Sequence, residues 1–80
     1  MLEELRSGSK VSGIKQSRRV IRDGLAQAVY LAGDADPALT DPIRALCLEK
    51  NVPVSDRYTM RDLGRAAGIQ VGAAVVALLK

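Results

Sequence analysis

The chain has no histidine, no tryptophan and no phenylalanine. Its 80 residues hold one cysteine, Cys47, and two aromatic side chains, Tyr30 and Tyr58. Each absence excludes a class of function. Without histidine, and with a single thiol, a Cys/His zinc site cannot be assembled, because such sites need three or four N/S ligands. Ser-His-Asp triads and histidine-based acid–base catalysis go for the same reason. One cysteine cannot close an intrachain disulfide, so a reducing, cytoplasmic compartment is expected. Two rings are too few for a stacking platform that binds single-stranded nucleic acid. The longest apolar-leaning stretch, residues 68–79, contains Gln70 and falls well short of the roughly 20 residues that span a bilayer. The start, Met1-Leu2-Glu3-Glu4-Leu5, is acidic, unlike a secretory leader. The expectation is one cytoplasmic domain over residues 1–80, with no membrane partner. Its 48% apolar and 26% charged residues suit a small globular core.

What the chain does have is an uneven charge. The formal net charge is +3, yet residues 6–22 contain Arg6, Lys10, Lys15, Arg18, Arg19 and Arg22 and no acid, half of the 12 basic residues. The remainder from residue 23 onward is nearly balanced. A solvated helix face accounts for most charge runs. Six cations without a compensating anion repel one another, and that points to a polyanionic partner.

The hydrophobic pattern alternates between strand and helix. Lys10 to Ser12 reads as a short strand, and Leu2 to Ser7 as a helical turn. After Gly13, Ile14, Ser17, Ile21 and Leu25 recur at helical spacing with Val20 beside them, predicting a helix from Ile14 to Asp23 closed by Gly24. Ala28 to Ala32 is a continuous apolar run, suited to a strand buried on both faces. Asp36-Pro37 and Asp41-Pro42 both resemble an N-cap followed by Pro at the first helical position. The prediction is a short turn and then a helix from about Thr40 to Lys50, with Ile43, Leu46 and Cys47 inward and Asn51 ending it. Val52 to Arg57 reads as a strand near a sheet edge because of Pro53. Thr59-Met60-Arg61-Asp62 opens a helix through Ala67, stopped by Gly68. Ala73 to Leu79 is a last apolar strand. Strands alternating with helices at this spacing predict an α/β layer structure with helices on both sheet faces.

Two groups of residues carry chemistry. Lys15 and Gln16 sit in the first turn after Gly13, with Arg19 one turn on. A helix N-terminus favours anions through its free N–H groups and dipole. Cations in a first turn oppose that dipole, which makes sense where a phosphate occupies the site. The second group is Gly68-Ile69-Gln70-Val71-Gly72. By itself it reads as a tight turn with Ile69 and Val71 folded inward; the other reading is an exposed apolar tip that packs on an unstacked base. The acids Asp34, Asp36 and Asp41 are better explained as turn and helix caps than as a magnesium site. Cys47, on an inner stripe, reads as a small core hydrophobe.

Gly13-Ile14-Lys15-Gln16-Ser17-Arg18-Arg19, Asp34-Ala35-Asp36-Pro37, Glu49-Lys50-Asn51-Val52-Pro53 and the stretch from Leu63 to Ala74 together resemble one family, over about residues 8–79. It is the L7Ae group of ribosomal and kink-turn RNA-binding proteins, in its short bacterial form. The resemblance implies a three-layer α/β/α sandwich with a four-stranded mixed sheet. It also implies binding to a kink-turn, a sharply bent RNA helix–bulge–helix with tandem sheared G·A pairs, possibly within ribosomal RNA. Archaeal and eukaryotic relatives carry Asn-Glu-x-x-Lys where this chain has Lys15, Gln16 and Arg19, a departure shared with bacterial members. The resemblance assigns RNA contacts to Gly13, Ile14, Lys15, Gln16, Arg18 and Arg19. It makes Ile69, Gln70, Val71 and Gly72 an exposed loop against the bulge, and places Asp36 near the pocket for an extruded base. The expected protein is a monomer that binds structured RNA, not DNA, with no cofactor, metal or enzymatic activity. The competing expectation is a protein–protein adaptor on the same fold.

Overall fold

The computed structural model describes residues 8–80; the helical turn expected at Leu2–Ser7 lies outside the described residues. Four strands and three helices alternate: β1 (Lys10–Ser12), α1 (Ile14–Arg22), β2 (Ala26–Ala32), α2 (Pro37–Glu49), β3 (Val54–Tyr58), α3 (Met60–Ala67) and β4 (Val75–Leu79). The sheet order is β1-β4-β2-β3. β4 pairs antiparallel with both β1 and β2, and β2 pairs parallel with β3. The sheet is therefore mixed, and β3, which follows Pro53, is an edge.

Successive strand residues point to opposite faces, and the two central strands are apolar on both. Val29, Leu31, Val75 and Ala77 pack with Ile21 of α1 and with Ile43 and Cys47 of α2. Tyr30, Ala32, Val76 and Leu78 pack with Leu63 and Ala66 of α3. This is the three-layer sandwich, with α1 and α2 on one face and α3 on the other. Ile21, Leu31, Ile43 and Leu63 are fully buried, each stabilising by about 1.5–3 kcal/mol. The two aromatic rings pair with each other, centroids 6.2 Å apart, beneath α3. Ser17 is also fully buried, and its hydroxyl has no hydrogen-bond partner among the described residues.

All three helices end on a left-handed residue. Gly24, Asn51 and Gly68 have φ of 75°, 59° and 79°. The following N–H folds back onto the helix at each end: Leu25 to the Val20 carbonyl, Val52 to Cys47 and Ile69 to Gly64. The strands differ from expectation only at their ends.

Two expectations need correction. Leu25, expected on the inner face with Ile14, Ser17 and Ile21, is 52% exposed; it lies beyond Gly24, where the helical repeat no longer applies. α2 begins at Pro37, not near Thr40, and Asp41-Pro42 lies inside it. Pro42 cannot donate to the Ala38 carbonyl. Both residues are exposed, so that carbonyl is open to solvent, while Thr40 and Ile43 remain packed inside.

Candidate functional site

β1, β2 and β3 all run in one direction, and each leads directly into a helix. The N-termini of α1, α2 and α3 therefore gather at one end of the sheet, the end where β4 begins. This is the end at which open α/β sheets place their ligands, and the three helix dipoles present their positive poles there.

Three consecutive residues stitch this end together. Ala73 N–H donates to the Met60 carbonyl (3.0 Å), Ala32 N–H to Ala74 (2.9 Å) and Gly13 N–H to Val75 (2.9 Å). The segment entering β4 is thus bonded to the starts of α3 and α1 and to the end of β2. Asp34 adds a fourth tie, its Oδ1 accepting from Met60 N–H at 2.8 Å.

Gly13 is the N-cap of α1, at φ 99° and ψ 155°, a region essentially confined to glycine. No atom lies within 4 Å of where its Cβ would stand, so the surface over the helix start is open. The helix has no side-chain cap and no acid in its first turn, which leaves its leading N–H groups available to an anion. Ile14 is half-buried and packs against the core below, while Lys15, Gln16, Arg18 and Arg19 project outward. Lys15, Gln16, Arg19, Val20 and Arg22 line a groove of about 600 Å³. None of the four α1 cations, Lys15, Arg18, Arg19 and Arg22, pairs with a described acid. The ion pair between Arg44 and Asp56, 3.3 Å and half exposed, lies elsewhere, between α2 and β3.

The loop at residues 68–72 leads into the segment that is bonded to this helix start through Gly13 N–H and the Val75 carbonyl. Val71 is 71% exposed and Ile69 36%; Gln70 and Gly72 are exposed as well. The inward-folded turn that these residues suggest by themselves is therefore not what forms. The reason is Gly64. A Cβ at that position would collide with the Val71 carbonyl oxygen and stand 3.1 Å from the Gly72 Cα. The loop packs its backbone, not its side chains, against α3, so the side chains face outward. They line a hollow of about 430 Å³ whose other wall is Met60, Arg61 and Arg65 of α3, with Asp34 at its edge.

Asp36 caps α2, its Oδ1 accepting from Ala38 N–H at 3.0 Å. Asp34, two residues earlier, is the acid that lines the hollow. Sequence reasoning read Asp34 as a cap, which its bond to Met60 N–H bears out, but did not single out Met60, Arg61, Gly64 or Arg65 as site residues. Two signals were available: a glycine inside a helical pattern, which costs about 1 kcal/mol without a packing reason, and two arginines four apart. No group of three metal-ligating side chains occurs among the described residues. Cys47 is buried in the α1–α2 core, where burial pushes its thiol up, opposed in part by Arg44.

Comparison with known proteins bears on the family and the fold. The model of the ribosomal protein L7Ae/L30e/S12e/Gadd45 family matches residues 2–80. The chain is similar to an RNA-binding protein of Geobacillus sp. (strain WCH70), 43% identical over 76 residues that cover 95% of this chain and 93% of that one. Its similarity to RNA-binding protein YbxF of Geobacillus stearothermophilus has the same identity and coverage. Among solved structures it resembles the Giardia lamblia 15.5kD RNA binding protein, with a TM-score of 0.92 and 26% identity over 99% of this chain and 70% of that one. It shares its fold with a protein of unknown function from Bacillus halodurans C, at a TM-score of 0.89 and 22% identity over 99% and 83% of the respective chains.

Proposed function

The chain belongs to the ribosomal protein L7Ae/L30e/S12e/Gadd45 family, and from that premise we propose that it is a non-enzymatic RNA-binding protein that recognises and stabilises kink-turns. It acts as a cytoplasmic monomer on structured RNA, ribosomal RNA included. One observation carries the reading: the cationic start of α1 and the exposed apolar loop at residues 68–72 converge on one end of the sheet, joined through Gly13 N–H and the Val75 carbonyl.

The division of labour follows from residue chemistry. Lys15, Arg18 and Arg19, with the open N–H groups of α1, hold phosphates. The Gln16 amide can donate to and accept from a base edge, so it reads sequence where the bulge splays the stack. Ile69 and Val71 offer aliphatic surface to an unstacked base, a role that needs no aromatic ring. A bent RNA crowds its phosphates and is poorly populated without help. A protein that binds the bent form better shifts the equilibrium by that difference in affinity.

The adaptor reading finds support in Leu48, 81% exposed in the last turn of α2, but it leaves the α1 cations, which pair with no acid among the described residues, without a role. The test is an electrophoretic comparison of a kink-turn RNA with the same RNA carrying disrupted G·A pairs. Tight binding to the first and weak binding to the second is expected. Equal binding to both would reduce the protein to a nonspecific polyanion binder.

A further inference from the structure

We propose that the hollow beside α3 is a second RNA-backbone site, in which Arg61 and Arg65 hold phosphates of the RNA arm opposite to the one held by α1. The inference rests on the RNA-binding reading above and adds that the bent RNA straddles the end of the sheet, one arm on each face.

Arg61 and Arg65 are one helical turn apart, so they stand one above the other on α3. Both line the hollow and both are exposed. Neither pairs with a described acid. Asp34 is the one acid in the hollow's wall, and its Oδ1 is engaged by Met60 N–H. Two guanidinium groups therefore face the hollow with a single carboxylate at its edge. Arg61 also stands in the first turn of α3, where the helix dipole disfavours a cation. Stability does not explain it there: the turn already has a capping box, with Asp62 N–H on Thr59 Oγ1 and Thr59 N–H on Asp62 Oδ2. Lys15 is misplaced in the same way at the start of α1, and a phosphate resolves both cases. The third wall, Ile69 and Val71, is apolar and belongs to the loop already assigned to the bulge. A phosphodiester next to an unstacked nucleotide fits this combination: charge from the arginines, dry aliphatic surface for the sugar and base.

The fold sets which RNA arm is involved. α1 and α3 lie on opposite faces of the sheet, and the segment that follows the loop at residues 68–72 is bonded to the starts of both, Ala73 to Met60 and Val75 to Gly13. A straight duplex lying on α1 leaves the arginine pair empty. A duplex bent over the loop places its second arm against α3.

The experiment measures kink-turn affinity against salt for the wild type, for Arg61→Gln/Arg65→Gln and for Lys15→Gln/Arg19→Gln. Each protein is also tested on RNA with methylphosphonate linkages in one arm at a time. The α3 double variant should keep or raise its melting temperature and make the log–log salt slope shallower by about 1.4 to 1.8, at roughly 0.7–0.9 per lost contact. Its defect should vanish on RNA neutralised in one arm, and the α1 variant's defect on RNA neutralised in the other. An unchanged salt slope in the α3 variant, with wild-type protein still selecting the kink-turn, overturns the second site and leaves the proposed function standing. Loss of both defects on the same neutralised arm overturns the straddled geometry. Failure of the wild type to select the kink-turn removes the RNA reading, and this inference with it.

Discussion

Gly13 and Val71 show how single residues of the proposed site divide between shaping it and offering it exposed surface. Gly13 has empty space where a side chain would go, so its identity is dictated by φ 99° and ψ 155° alone. Gly13→Ala is expected to cost about 1–3 kcal/mol of stability through backbone strain, read as a lower midpoint in urea. An unchanged midpoint would mean that the α1 start relaxes freely. Val71 is the opposite case. At 71% exposure it contributes little to the core, so Val71→Asp should leave the melting temperature nearly unchanged. RNA affinity should fall sharply, through lost aliphatic contact and repulsion between the new carboxylate and nearby phosphates. Ile69→Ala is the charge-free control, expected to weaken binding by about 1–2 kcal/mol through lost apolar area. Normal stability with normal RNA binding in both variants would remove the loop from the site.

At the scale of elements, the helix ends were readable because Gly24, Asn51 and Gly68 are residue types that tolerate the left-handed conformation. The start of α2 was not readable. Asp36-Pro37 and Asp41-Pro42 are alike locally, and only the burial of Thr40 with Ile43 and Cys47 decides that the first opens the helix and the second lies within it. The loop at residues 68–72 was legible as a site only through family resemblance, because its outward side chains depend on what fills the space over Gly64. The arginines of α3 were hidden by averaging: from residue 23 onward acids and bases nearly cancel, and only folding brings Arg61 and Arg65 to one hollow with a single acid, Asp34, in its wall. Gly64 supplies the corresponding test. Gly64→Ala should gain helix propensity yet destabilise the protein by about 1–3 kcal/mol, because the new methyl meets the Val71 backbone. It should also weaken RNA binding, in contrast to Val71→Asp, which affects binding alone. A stabilised Gly64→Ala protein would contradict the packing described here. In the α1–α2 core, burial holds the Cys47 thiol protonated. The unfolded chain ionises its thiol near pH 8.5, so above that pH it binds fewer protons than the folded chain and stability declines, by up to about 1.4 kcal/mol per pH unit. Urea midpoints taken between about pH 8 and pH 10 should fall less steeply for Cys47→Ala than for the wild type; parallel slopes would show that the thiol ionises in place.

The whole molecule reads as a wedge of cations and aliphatic surface set at one end of a rigid sheet. Three parallel strands deliver three helix starts to that end, and the segment of residues 73–75 ties two of those starts to the end of β2 through backbone hydrogen bonds. Those bonds hold the parts of the proposed site in fixed relation, so under the proposed function the change of shape on binding falls on the RNA. The most direct test is energy transfer between dyes on the two arms of a kink-turn RNA, in low salt without Mg²⁺, as protein is added. Transfer should rise to saturation for the kink-turn RNA and stay flat for the version with disrupted G·A pairs. Binding to the kink-turn RNA without a rise in transfer, or an equal rise for both RNAs, would contradict the claim that this protein recognises and stabilises the bend.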